Sequence, residues 1–357
     1  MTKHGFCGKQ AGKSFLHCLC ALLGMALMAG LLSGCGSKKE EGADKAPAPT
    51  AAGGADVPGE RLTISVAALK GPTAIGMVEL MERAEAGDTA NDYNFTVAGT
   101  ADEITKDIIK GNIQIAAIPC NLASVLYNRT EGQLQVAAIN TVSVLYILET
   151  GEGINSVEDL KGRTVYSTGK STTPEYTLNY ILSAAGLDPE KDVTVEYKSE
   201  AAEVAAVLAE SDSAVAMLPQ PYVTVAMTQN EKLRIALDVA EEWERYSDDG
   251  SSVVTGVVLV NKQYAKEHKE AVNAFLAEYQ ASTQYVTENV EAAAELVEKY
   301  DIVKAAVAKK AIPYCNIAFI EGEEMQERIS GYLGVLYGQD PESVGGALPG
   351  DDFYYSR

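Results

Sequence analysis

The stretch VYSTGKSTTPEYTLNYIL, residues 165–182, carries Gly169-Lys170-Ser171-Thr172, the tail of the phosphate-binding loop G-x-x-x-x-G-K-[ST]. That loop needs a second glycine five residues upstream, so that backbone N–H groups can wrap a phosphate chain. Thr164 stands there instead. The motif is half complete and does not predict an ATPase. It leaves a hydroxyl-rich turn between a β-branched run and a helix opening at Pro174, a place where N–H groups and hydroxyls face outward. Catalytic alternatives are thin. His268, in YAKEHKEAVNAF, is the one histidine beyond the N-terminal segment and has charged neighbours, so neither a His-based triad nor a multi-histidine metal site is expected. Glu241, Glu242 and Glu244 flank Trp243 and have the chemistry of acid–base pairs, but such a run is ordinarily a solvated face. No catalytic residue, metal or cofactor is expected.

The N-terminal residues bear on the compartment. Lys3, Lys9 and Lys13 precede an apolar run, residues 15–32, and Leu32-Ser33-Gly34-Cys35 closes it. This is the pattern of a secretory signal, here 1–34, whose cleavage exposes Cys35. The L-S-G-C spelling resembles the bacterial lipobox, in which that cysteine is acylated. A retained membrane anchor is the alternative, and the run is barely long enough for it. Either leaves the rest of the chain outside the cytoplasm. Residues 35–59, rich in Ala, Pro, Gly and charge, read as a flexible tether. Asp and Glu number 50 against 29 Lys and Arg. That balance argues against nucleic acid, limits membrane contact to the lipid anchor, and fits a monomer. Cys120 and Cys315 are the cysteines left after processing, and whether they pair is open.

From Arg61 strands and helices alternate. Strands are expected at 62–66, 93–98, 113–118 and 136–142, then at 164–166, 193–197, 214–218 and 234–239, and again at 253–261. One helix face is expected from Ala74, Met77, Val78 and Met81. Thr100 to Glu103 reads as a capping box with Gly111 closing its helix. Further helices are expected at 122–128, 174–185, 202–210 and 222–229, followed by a helical tail. IQIAAIPCNLASVL and SAVAMLPQPYVTVA share a plan, as do LKGPTAIGMVEL and STGKSTTPEYTL. Repeated βα units predict an α/β fold of mainly parallel sheets in two lobes. Ligands of open parallel sheets bind beyond the C-terminal strand ends.

LKGPTAIGMVELM, NLASVLYNRTEG, INSVEDLKGRTVYSTGKSTTPEYTLNYIL and SVGGALPGDDFYY, together with the lipobox and tether, resemble solute-binding lipoproteins of ABC importers. The similarity is to the branch containing nitrate-, sulfonate/taurine- and thiamine-pyrimidine-binding proteins. The resemblance implies a type II periplasmic-binding-protein fold with two hinge strands. Lobe 1 would be 60–143 and 253–357, and lobe 2 would be 144–252. It also implies capture of a small anion or planar heterocycle and its delivery to an ABC permease. The cleft-facing turns then offer Gly71, Pro72, Thr73, Thr100, Cys120 and Asn121 from lobe 1. They offer Ser171, Thr172, Thr173, Gln220 and Tyr222 from lobe 2, with Tyr146 or Tyr222 placed to stack a ring. A sensor for a membrane receptor, or a lyase or dehydratase of the same bilobal fold, are the alternatives the sequence leaves open.

Overall fold

A computed structural model describes residues 61–247 and 251–357. The expected signal, Cys35 and the tether lie outside the described residues. The first sheet has six strands in the order β11-β4-β10-β3-β1-β2. Four of them are β1 (Thr63–Leu69), β2 (Asp92–Ala98), β3 (Ile115–Pro119) and β4 (Leu134–Thr141). The chain returns late to add β10 (Gly256–Asn261) and β11 (Ile317–Ile320). β1 runs parallel to β2 and β3, whereas β10 is antiparallel to both β3 and β4. β3, Ile-Ala-Ala-Ile-Pro, is buried along nearly its whole length, as a strand covered on both faces must be.

The second sheet has five strands in the order β7-β6-β8-β5-β9. They are β5 (Leu145–Thr150), β6 (Thr164–Ser167), β7 (Thr194–Tyr197), β8 (Val215–Pro219) and β9 (Leu233–Asp238). β5 is antiparallel to both its neighbours. The sheets are therefore mixed rather than mainly parallel, because the strands next to each crossing run backwards. β5 and β11 lie where no strand was expected. The chain crosses from the first sheet to the second after Thr141 and returns before Gly256. The two crossings are stitched together where Thr255 N–H donates to Thr141 O at 3.1 Å. This is the two-lobed, doubly hinged periplasmic-binding-protein fold.

Helices cover both sheets. In lobe 1 they are α1 (Pro72–Ile75), α2 (Val78–Glu85), α3 (Asp102–Ile109) and α4 (Cys120–Arg129). In lobe 2 they are α5 (Thr173–Ala184), α6 (Ala201–Glu210), α7 (Tyr222–Gln229) and α8 (Val239–Tyr246). The tail supplies α9 (Lys262–Glu267), α10 (Lys269–Glu288), α11 (Val290–Lys299), α12 (Ala305–Ala311) and α13 (Gly322–Gln339). The single helix expected around Ala74–Met81 is two, broken at Gly76-Met77. The break lets Gly76 lie against α10, where an added Cβ would meet the Tyr279 hydroxyl at 3.2 Å.

One core joins Ile118, Cys120 and Leu126 of lobe 1 to Leu178, Met217 and Trp243 of lobe 2 through Ile329, Tyr332 and Leu333 of α13. A second core packs the opposite face of the first sheet under α1, α2 and α10–α12. Burial of each large side chain in such a core contributes about 1.5–3 kcal/mol. Of the carboxylate run expected on a solvated face, Glu241 and Glu244 are exposed, whereas Glu242 is buried beside Trp243 and pairs with Arg245 at 2.9 Å. Cys120 and Cys315 are free and buried.

Candidate functional site between the lobes

The C-terminal ends of β1, β2, β3 and β4 share one edge of the first sheet, because these strands run the same way. β6, β7, β8 and β9 do the same in the second sheet. The crossings leave from those two edges, so both face the junction of the lobes.

The β1 end gives Gly71, at φ 132°, then Pro72 and Thr73 in the single turn α1. Thr73 Oγ1 donates to Leu69 O at 2.8 Å. Lys70 beside it pairs with Asp301 at 3.5 Å. The β2 end gives Thr100. Glu103 accepts from Thr100 N at 2.8 Å and from its hydroxyl at 2.9 Å. The Thr100 side chain therefore does not cap α3, and the expected capping box is half formed, because the hydroxyl is spent on the carboxylate. The β3 end gives Cys120 and Asn121. The Cys120 thiol lies in the core, where burial pushes its pKa well up. Asn121 is fully buried at the join. Its Nδ2 donates to Ser343 O at 3.1 Å and Ser171 O at 3.5 Å, and its Oδ1 accepts from Thr173 Oγ1 at 3.3 Å.

In lobe 2, Gly169 (φ 72°) and Ser171 (φ 61°) bend the turn that begins α5. Ser171 N–H donates to the Glu175 carboxylate. Thr172 Oγ1 donates to Gly169 O at 2.7 Å. Lys170 is exposed. At the β8 end, Gln220 Oε1 accepts from Thr224 N at 3.3 Å and Thr224 Oγ1 at 2.9 Å. Tyr146 and Tyr222 are buried in one cluster. Burial, then Asp238, lifts the Tyr146 hydroxyl to about 12, and burial, then Glu200 and Asp301, raises that of Tyr222. Both remain neutral phenols across the physiological range.

The structure adds residues that turn chemistry alone does not reveal. Thr141 sits opposite Gly256 in the β4–β10 ladder, and Ile139 opposite Val257, so Asn140 is an extra residue in a bulge. Bulges re-aim side chains. Asn140 Oδ1 lies 2.5 Å, and Thr73 Cγ2 2.8 Å, from where a Cβ on Gly256 would stand. Only a glycine leaves that space. Oδ1 and Nδ2 of Asn140, Oγ1 of Thr141 and Thr255, Oγ of Ser143 and the Tyr279 hydroxyl are all buried without a well-aligned hydrogen bond among the described residues. Asn140, Thr141 and Tyr279 are 0% exposed. Burial raises the Tyr279 hydroxyl's pKa, opposed in part by a side-chain hydrogen bond with Asn140, so these two groups stand near enough to partner each other although their alignment is poor. Buried polar groups are normally satisfied, so such a set calls for a reason. The local signal in the sequence is the polar pair Asn140-Thr141 ending an apolar strand.

Among the described residues there is no group of three metal-ligating side chains and no helix long and apolar enough to cross a membrane. A shallow groove at Thr150, Glu152, Asp212 and Lys232 lies at the opposite end of the second sheet. There Lys232 and Asp212 pair at 2.7 Å, as exposed surface charges do.

No curated relative matches the chain in sequence. Residues 126–293 match the family model described as NMT1/THI5 like. An ABC transporter protein from Parabacteroides distasonis superposes with a TM-score of 0.67 at 21% identity, over 83% of this chain and 99% of that one. The periplasmic aliphatic sulphonate-binding protein of Escherichia coli does so with a TM-score of 0.66 at 14% identity, over 82% and 92%. The periplasmic nitrate-binding protein of Synechocystis PCC 6803 gives 0.60 at 14%, over 80% and 84%. The chain thus carries an NMT1/THI5-like region on the bilobal fold of the sulphonate- and nitrate-binding proteins.

Proposed function

We propose that this protein captures a small solute between its lobes outside the cytoplasm and hands it to an ABC-type permease, without catalysis. The observation that carries the reading is the set of buried polar side chains without well-aligned hydrogen bonds at the two crossings, between strand ends contributed by both sheets. A catalytic site would instead need a nucleophile held by a base and free to attack; the hydroxyl–carboxylate pair that these turns do bring together, Thr100 with Glu103, shares its carboxylate with the Thr100 backbone N–H and so braces the turn. On this reading lobe 1 comprises 60–143 and 253–357 and lobe 2 comprises 144–252. Gly71, Pro72, Thr73, Thr100, Asn121, Ser171, Thr172, Thr173, Gln220 and Tyr222 line or brace the cleft. Cys120 and Tyr146 support it from beneath. Cys35 carries the lipid that tethers the chain to the membrane.

Native mass spectrometry of the chain purified from its host tests the capture reading. The expected result is one small solute per chain, lost on denaturation. A chain that arrives with nothing bound, and that no member of a broad metabolite panel stabilises thermally, overturns it. Cys35→Ser tests the anchor. The variant should incorporate no radiolabelled fatty acid, and persisting label would refute acylation at that residue.

A further inference from the structure

If a solute is captured between the lobes, as proposed, the carboxylates around the cleft bear on its charge. Helix N-termini bind anions through free N–H groups. At three of these helices a first-turn glutamate already places its carboxylate at that end, accepting from the N–H of a residue just before the helix. Glu103 at α3 accepts from Thr100 N, Glu175 at α5 from Ser171 N, and Glu203 at α6 from Ser199 N at 3.2 Å. The N-terminus of α4 gives Cys120 N to Thr255 O at 3.1 Å, and that of α7 gives Thr224 N to Gln220. The single turn α1 begins on Pro72, which has no N–H. Nor does the rim supply buried positive charge. Glu200 Oε1 and Glu103 Oε1, from opposite lobes, come within 2.9 and 3.4 Å of where a Cβ on Gly99 would stand. Lys70 is paired with Asp301, and Lys198 with Glu196 at 3.6 Å. Lys170 is exposed, and its turn already carries the Glu175 carboxylate. An anion drawn into this cleft would meet like charge and, among the described residues, no buried cation. Burying it there is unfavourable.

The buried polar groups at the crossings beneath these turns have the opposite character. Asn140, Thr141, Thr255 and Tyr279 carry no charge and offer both donors and acceptors. We infer that the cleft takes a solute without an anionic group. Its neutral hydrogen-bonding edge, such as an amide or a ring lactam, is read by Asn140, Thr141, Thr255 and Tyr279, and any charge it carries is positive. This separates the chain from neighbours named for sulphonate and nitrate. Thr73 connects the two regions, since its methyl group faces Asn140 and Gly256 while Lys70 on the same turn reaches Asp301 at the rim.

The co-purified solute decides the matter. Its mass and charge should show no carboxylate, sulphonate or phosphate, and titration with nitrate or methanesulfonate should give no heat. Asn140→Leu and Thr141→Val should cut occupancy of that solute at least tenfold while leaving the melting temperature near the parent's, because neither side chain makes a well-aligned hydrogen bond among the described residues. A purely structural role predicts a lower melting temperature with occupancy retained. An anionic solute, micromolar binding of nitrate or methanesulfonate, or full occupancy in both variants overturns the inference while leaving solute capture intact. A chain that binds nothing at all overturns capture, and this inference with it.

Discussion

Asn121 shows how one side chain joins three parts of the molecule. It stands at the start of α4, and its amide reaches the α5 turn and the carbonyl of Ser343 beyond α13. Asn121→Ala would leave the Ser343 carbonyl and the Thr173 hydroxyl short of partners in a buried place. We expect a loss of roughly 1–3 kcal/mol, read as a lower urea midpoint with an unchanged slope. A midpoint equal to the parent's would show that the join is held elsewhere. Thr73 and Thr172 are different, because each hydroxyl donates to a carbonyl three or four residues earlier and so fixes the shape of its turn. Removing either should weaken solute binding through the turn, by about 1 kcal/mol, with a stability cost of similar size. Solute affinity unchanged in both alanine variants would remove these turns from the site. Lys170 is exposed, and Lys170→Ala should bind as the parent does.

At the scale of elements, the residues that were legible were those with local signals. α7 runs from Tyr222 to Gln229 as its pattern predicts, and α5 begins beside Pro174 and ends just before Gly186 at φ 81°. β5 was not legible. In VAAINTVSVLYILET, the end of one strand, a crossing and the start of another are similarly apolar, and only the partner sheet distinguishes them. β11 is four residues long and half-buried throughout, too weak a pattern to stand out. The break between α1 and α2 hides because the apolar period continues across it. The site divides the same way. Its turns are spelled in Gly, Pro, Ser and Thr, whereas Asn140, Thr255 and Tyr279 meet only through the β4–β10 register and the docking of α10. Gly256 tests that register. A methyl there would stand 2.5 Å from Asn140 Oδ1 and 2.8 Å from Thr73 Cγ2. Gly256→Ala should therefore cost about 1–3 kcal/mol from overpacking and reduce solute binding as well. A calorimetric melting temperature at or above the parent's would mean that Asn140 is free to move aside, and that the bulge does not hold it.

For the molecule as a whole, α13 acts as a clasp. It leaves lobe 1, packs on α5 and α8 of lobe 2, and leads into the C-terminal stretch that settles on α4. Ser124 Oγ donates to Val344 O at 2.8 Å, and Asn128 Nδ2 donates to Val344 O at 2.8 Å and Ala347 O at 2.7 Å. The clasp closes on Trp243, the only tryptophan in the sequence. Its ring lies 4.0 Å from Tyr180 and 5.3 Å from Tyr332 between centroids. Its Nε1–H donates to Ser251 O at 3.1 Å, where the chain returns toward lobe 1. Tyr332 also bonds the Thr177 hydroxyl at 2.9 Å. One aromatic cluster thus holds α5, α8, α13 and the return crossing together. Tyr332→Ala should leave a cavity at that meeting point and cost about 3–5 kcal/mol, as large-to-small core changes do. Tyr332→Phe keeps the ring and loses only the hydroxyl bond, for about 1 kcal/mol. Tryptophan emission reads both, because the native fluorophore is fully buried. The alanine variant should emit further to the red before unfolding and melt at a lower denaturant concentration, while the phenylalanine variant should keep the native spectrum. If Tyr332→Ala emits and unfolds like the parent, α13 merely rests on lobe 2, and the two crossings alone hold the lobes in place.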